Sequence, residues 1–234
     1  VPLGLAQETV RFRLWMAGQE VGGREVIASK VGGGERLESR EWVRLDRLGR
    51  TVEQDVRQSA TRRPDGALEF IWSVRISRDP MEGRALWAPS DPRRIRILVK
   101  DLPERVLELE DGTLLWPGDP ADRLREAARH RRPLRLKGFE PALQQTTELD
   151  LQVVGPDPLP GFPDAIRFRG RSREGAMQSE AELWVSPVAG EVKVSSTVGG
   201  LPMLLQRREL PGPAGPEPTE GFFARTLSML PPHP

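Results

Sequence analysis

The feature that most limits what this chain can become is a two-residue hydrophobic period that recurs almost from end to end, interrupted by glycine-bearing turns. Over residues 9–16, Val10, Phe12, Leu14 and Met16 fall on one side while Arg11, Arg13 and Trp15 fall on the other. Over residues 68–76, Leu68, Phe70, Trp72, Val74 and Ile76 alternate with Glu69, Ile71, Ser73 and Arg75. Ile95, Ile97 and Val99 repeat the pattern, as do Leu149, Leu151 and Val153 against Glu148, Asp150 and Gln152. Successive side chains of a strand point to opposite faces, so this period makes half-buried antiparallel strands and cannot be read as helix. Gly18 and Gly22-Gly23, flanking a short turn, the Gly32–Gly34 run and Asp65-Gly66 stand where hairpins are needed.

Between these anchors the reading is less uniform. Residues 24–31 and 36–48 make a second and a third strand, the latter around Trp42, Val43 and Leu45, and Leu48-Gly49-Arg50 turns the chain back. Residues 51–63 are nearly all polar apart from Val52 and Val56, which predicts a sheet edge or a strand solvated on both sides. Asp79-Pro80 and residues 89–92 read as loops, and 105–110 as a short strand leading to Leu114, Leu115 and Trp116. One helix is predicted over 121–131, with Asp119 as its cap, Pro120 in its first turn, and Leu124, Ala127 and Ala128 on one face. Arg129, His130, Arg131 and Arg132 complement its dipole, and Pro133 stops it. Strands resume over 134–139, 146–154 and 165–171, the last two separated by a stiff Pro/Gly loop at 155–163. Three more close the meander over 179–210, carried by Ala181, Leu183 and Val185, by Val192 and Val194, and by Met203, Leu204 and Leu205 after Gly199-Gly200. The expectation is a mainly β fold: a large, curved antiparallel sheet, half-barrel-like, wrapping one α-helix. It comprises a single domain over 1–210 and a Pro-rich tail over 211–234, whose Phe222, Phe223 and Leu227 suit a short docking helix.

The residue inventory excludes several chemistries. There is no cysteine, hence no thiolate ligand, disulfide or cysteine nucleophile. Of the two histidines, His130 sits among arginines that disfavour a metal cation, and His233 lies in the proline-rich terminus. No metal site and no cofactor are expected. No Gly-x-Ser-x-Gly elbow is present, and the Gly32–Gly34 run lacks the helix, lysine and hydroxyl of a phosphate loop. Glu180 with Glu182, and Glu108 with Glu110, read as solvated strand faces; as acid–base pairs they would make the chain a carboxylate-based hydrolase. Lysine and arginine number 35 against 34 acidic residues, so net charge gives no reason to expect nucleic acid as a partner. No stretch approaches the roughly 18 apolar residues of a membrane-spanning helix. The tryptophans are the remaining candidates for a ligand surface: Trp15, Trp72 and Trp184, with the face shared by Trp15 and Trp184 as the side on which a concave ligand site is expected.

The Gly-rich first hairpin, the Leu45–Arg50 turn, Asp65-Gly66 and the run from Leu183-Trp184-Val185 to Leu204-Leu205 together resemble the β-rich domain that precedes the transglutaminase-like core in some bacterial periplasmic proteins. Less closely, they resemble the curved half-barrel of lipoprotein carriers. In the first family a separate core carries cysteine, histidine and aspartate; without a cysteine here, no catalytic residue transfers. The resemblance implies a stand-alone accessory domain. Val1-Pro2-Leu3-Gly4-Leu5-Ala6 also resembles the end of a signal peptide, with Gly4 and Ala6 as the small residues of a cleavage site, so a periplasmic or secreted location is expected. The functional expectation is a non-catalytic exported protein that engages a partner protein or polymer. A carrier of a lipid or other apolar ligand in the concave face is the alternative, and a hydrolase the second. Oligomeric state is unknown from the sequence.

Overall fold

A computed structural model describes residues 8–47, 50–76, 79–174, 177–198 and 201–212. The signal-peptide-like start, the Leu48-Gly49 and Gly199-Gly200 turns, and Phe222, Phe223, Leu227 and His233 lie outside the described residues. In chain order the elements are β1 (Glu8–Met16), β2 (Gln19–Val31), β3 (Gly34–Arg47), β4 (Arg50–Arg62), β5 (Leu68–Ile76), β6 (Asp79–Trp87), β7 (Arg94–Val99), β8 (Arg105–Glu108), α1 (Gly118–His130), β9 (Leu134–Glu140), β10 (Gln145–Pro156), β11 (Ile166–Glu174), β12 (Met177–Ser186), β13 (Gly190–Val198) and β14 (Leu201–Arg207).

All the strands join one antiparallel sheet in the order β8-β7-β6-β5-β4-β3-β2-β1-β14-β13-β12-β11-β10-β9. The first and last strands of the chain therefore meet in the middle, with Leu14 opposite Leu205 and Met16 opposite Met203. The two edges, β8 and β9, are consecutive strands joined by the segment that carries α1. That segment brings the edges together. Leu109 N–H donates to Arg93 O (2.8 Å), prolonging the pairing with β7, and Leu114 then bridges to β9 by donating to Lys137 O (2.7 Å) and accepting from Phe139 N–H (3.0 Å). Phe139 packs edge-on against Phe70 of β5 with ring centroids 5.7 Å apart, and Gln58 of β4 donates to Glu140 (2.7 Å). The sheet rolls until its β9 edge tucks against β4 and β5, which gives β9 apolar neighbours on both faces.

Register carries one inner face across the sheet: Phe70 lies beside Ala60 and Ala85, Leu14 beside Leu205, Leu183 beside Phe168 and Val194. Three apolar clusters cover it. Phe70, Trp72, Ile95, Ile97, Trp116 and Phe139 fill the β4–β7 end. Phe12, Leu14, Met16, Val21 and Leu205 fill the centre. At the β10–β13 end, Leu124, Ala127 and Ala128 of α1 pack on Leu151, Ile166, Phe168, Leu183 and Val185. The helix lies on the concave side, as its apolar face requires.

Four local expectations are corrected. Gly22-Gly23 lie inside β2, opposite Leu14 and Arg13, and the turn before that strand is Ala17-Gly18. The polar stretch at 51–63 is β4, an interior strand paired on both sides to β3 and β5. It is not an edge, because its outward polar side chains find cross-strand partners while Val56, Gln58 and Ala60 face inward. The region opening at Asp79-Pro80 is β6, a strand and not a loop. The middle of its inward face is Gly83 and Ala85, too small to register as an apolar period between Met81 and Trp87, and Gly83 is small because the Trp72 ring occupies the space its Cβ would take. The helix begins one turn earlier than predicted, at Gly118, with Pro117 at the cap position and no side-chain cap; Asp119 sits inside the first turn. Its end is as the proline and the basic run suggest, closing on Arg131 in the left-handed conformation (φ 51°), with Arg132 N–H donating to Ala127 O (3.0 Å).

Candidate functional site

The three tryptophans do not form one site. Trp72 is on the inner face and only 1 % exposed. Trp15 and Trp184 share the opposite, outer face, where cross-strand register runs Arg13–Gln206–Lys193–Trp184–Arg167, with Trp15 and Leu204 two residues along. That face is turned away from α1, so the concave side and the tryptophan side are different sides of the sheet. Trp184 is also covered: the Lys193 ammonium lies 4.4 Å and the Arg167 guanidinium 5.2 Å from the centre of its ring, and its Nε1 donates to Asp157 (2.8 Å). Residues 208–212 fold over the Trp15 side, where Arg13 donates to the Leu210 carbonyl, Gln206 donates to Pro211 O (2.9 Å), and Leu210 is buried. The outward arginines that alternate with apolar residues are likewise held in pairs, Arg11 to Glu25 (2.6 Å) and both Arg167 and Arg169 to Glu182 (2.7 Å each).

One carboxylate of each pair singled out for acid–base chemistry is engaged in the same way. Burial would raise the Glu182 carboxyl, but hydrogen bonds from Arg169 and Arg167 outweigh it and hold it below the ordinary glutamate value. Glu110 is bound by Lys137 (2.5 Å), whose ammonium that hydrogen bond and the one to Glu148 raise above its usual range. A general acid at neutral pH needs a displacement opposite to that of Glu182.

What the outer face does offer is a hollow of about 570 Å³ over β2–β6. Ile27, Ser59, Ile71 and Ser73 form its floor, and Glu25, Arg36, Glu38, Arg40, Arg57 and Glu82 stand around it. Register puts these on two neighbouring rows: Ile27–Glu38–Ser59–Ile71 and Glu25–Arg40–Arg57–Ser73–Glu82. Ile71 is 52 % exposed, the most exposed large apolar side chain in any of these strands. Part of the rim is pre-set. Asp55 accepts from Arg40 (2.6 Å) and from Arg57 (2.9 Å), and these bonds, against a burial effect of opposite sign, hold its carboxyl below the ordinary value. Trp72 and Gly83 also belong to the lining, although the Trp72 indole is packed into the core behind it.

Sequence reasoning passed over this hollow. The one trace of it is Ile71, an isoleucine on the polar side of the most regular strand in the chain, and register alone brings Ile27 into line with it.

Rolled sheet, single inner helix and paired edges define a barrel-like architecture, and a solved structure shares it. That structure is the crystal structure of a beta-barrel-like protein of domain of unknown function DUF1849 from Brucella abortus, with a TM-score of 0.61 at 14 % sequence identity, covering 88 % of this chain and 97 % of that one. The chain has a beta-barrel-like fold. At this identity the likeness concerns fold alone. No family model matches the sequence, and no curated protein does. Among the described residues no helix is long and apolar enough to cross a membrane.

Proposed function

We propose that this protein is a non-catalytic binding protein whose outer hollow over β2–β6 receives an extended segment of a partner protein. The observation that carries the reading is the hollow itself, an open depression within the 300–1,000 Å³ range typical of ligand sites. It combines an apolar floor at Ile27 and Ile71 with charges of both signs. An apolar side chain of the partner would seat on Ile71, the more exposed of the two. Its flanking charged residues would meet the arginines and glutamates of the rim, which supply register more than raw affinity. The barrel-like fold is compatible with this role, and the export expected from the first residues would make the partner a periplasmic or secreted protein.

An apolar-ligand carrier is the second reading, and it makes a different structural demand. The concave face is filled by α1 and the three clusters, so a lipid held there would require the helix to move. Selection of a random displayed peptide library against the protein, with Ile71→Glu as the counter-target, tests the first reading. Enriched peptides should carry one apolar anchor between charged residues and bind Ile71→Glu at least about tenfold more weakly, the scale of one lost buried anchor. No enrichment, or enrichment indifferent to Ile71→Glu, overturns it. Lipid extracted from the purified protein would favour the carrier.

A further inference from the structure

Most arginines of the described residues are paired and those left over are mostly scattered singly, but one consecutive run is not. Arg129, His130, Arg131 and Arg132, at the C-terminal end of α1, are all exposed. None of the three arginines has an ion pair or side-chain hydrogen bond among the described residues, whereas nearby Arg123, Arg125 and Arg135 are each paired with a carboxylate. The left-handed closure at Arg131 spreads this run around the helix end instead of stacking it along one flank. Offsetting the helix dipole needs one or two such charges, so the cluster exceeds that requirement.

The topology sets the run beside exposed apolar residues. β9 starts at Leu134 opposite Leu151 near the end of β10, β11 starts opposite Pro156, and β12 ends at Ser186 opposite the start of β13. The helix C-terminus, Val154 and the β12–β13 turn with Val188 therefore share one end of the sheet. α1 rests on β13, β12 and β9, with Arg125 against Gly190 in that turn. Val188 is 83 % and Val154 54 % exposed. The carboxylates of the adjoining loop do not neutralise the arginines: Asp157 is turned to Arg167 and Trp184, and Asp164 accepts from Ser186 (2.9 Å).

We infer that this end of the sheet docks on an anionic phospholipid bilayer surface, with Arg129, Arg131 and Arg132 at the headgroups and Val188 and Val154 reaching between them. Charge complementarity selects the partner. Clustered cations beside projecting aliphatic side chains suit a surface that is anionic outside and apolar beneath, while a soluble polyanion would gain nothing from the valines. The inference is independent of the hollow over β2–β6, which lies in the other half of the sheet.

Co-sedimentation with vesicles tests it. The full chain should pellet with vesicles of phosphatidylcholine containing phosphatidylglycerol and stay in solution with phosphatidylcholine alone. Raising the salt to 0.5 M, a condition chosen to shorten the Debye length well below that at physiological salt, should release it. Each arginine near an anionic surface contributes roughly a fivefold gain in partitioning, so R129A/R131A/R132A should bind at least about tenfold more weakly. The same three positions changed to lysine should retain binding, and Val188→Ser should weaken it without touching charge. All these side chains are exposed, and an unchanged circular dichroism spectrum confirms that the variants are folded. No vesicle binding, or binding indifferent to the triple alanine variant, overturns the inference. So does equal binding by Val188→Ser together with tight binding to heparin, which would assign the patch to soluble polyanions.

Discussion

At the scale of single residues, small side chains and ion pairs decide how the sheet packs. Gly83 is the clearest case, because a Cβ there would run into the Trp72 ring, which is itself buried and has nowhere to retreat. Gly83→Ala should lower stability by about 1–3 kcal/mol, the usual cost of overpacking. Gly138→Ala, where a Cβ meets nothing nearer than 3.8 Å, should be close to neutral, and chemical denaturation of both variants makes the comparison. Asp55 gives a pH-dependent counterpart. Its folded-state value lies below its unfolded value of 3.8. Its contribution to stability is therefore complete above roughly pH 5 and is lost as the pH falls through the lower, folded value. Asp55→Asn should unfold at a lower denaturant concentration than the parent at pH 7 and at the same concentration near pH 2. Unfolding curves at the two pH values check the sign.

Among the elements, α1 and β4 show where a pattern is informative and where it fails. The helix was legible because Leu124, Ala127 and Ala128 repeat at helical spacing and Pro133 ends it, and the same three residues are the ones buried on the sheet. Leu124→Ala should cost about 2–4 kcal/mol, as expected for truncating a buried leucine, whereas Arg123→Ala, on the exposed side, should change little; thermal melts of the two distinguish them. β4 and β6 were misread for a common reason. A strand interior to a sheet needs backbone partners on both sides, but its inward side chains may be small or polar if neighbouring strands supply the bulk. Gln58, Ala60, Gly83 and Ala85 are such residues, so the hydrophobic period here is carried chiefly by β5 and β7. The hollow went unseen on the same ground: its floor is assembled from β2, β4 and β5, and no single strand spells it out.

For the molecule as a whole, the pairing of β1 with β14 is what turns two meanders into one sheet. It closes a loop of nearly the whole described chain, and such non-local pairings form late and slowly. The clusters overlap across this seam, since Val194 packs against both the central and the helix-side cluster. Unfolding should accordingly be one transition, coincident by tryptophan fluorescence and circular dichroism. Weakening the seam with Leu14→Ala and Leu205→Ala together should split it in two, because the β2–β8 half keeps a cluster built around Phe70, Trp72, Ile95 and Ile97 and the β9–β13 half keeps the helix. A single coincident transition in the double variant would mean that the halves depend on each other through the β9 edge instead.

The sequence by itself determined the class of structure: the two-residue period with its glycine turns permits only antiparallel strands, and one helical stretch with an apolar stripe must lie against them. It also put thiolate chemistry out of reach, since the absence of cysteine is a fact of composition. Which strands neighbour one another was decided only by the tertiary structure. Alternation tells which residues share a face of a strand, but not which strand stands beside it. So the sequence set Trp15 and Trp184 on one face of a sheet, and only the rolled arrangement made that face the outside, covered Trp184 with Lys193 and Arg167, and opened a hollow between Ile27 and Ile71.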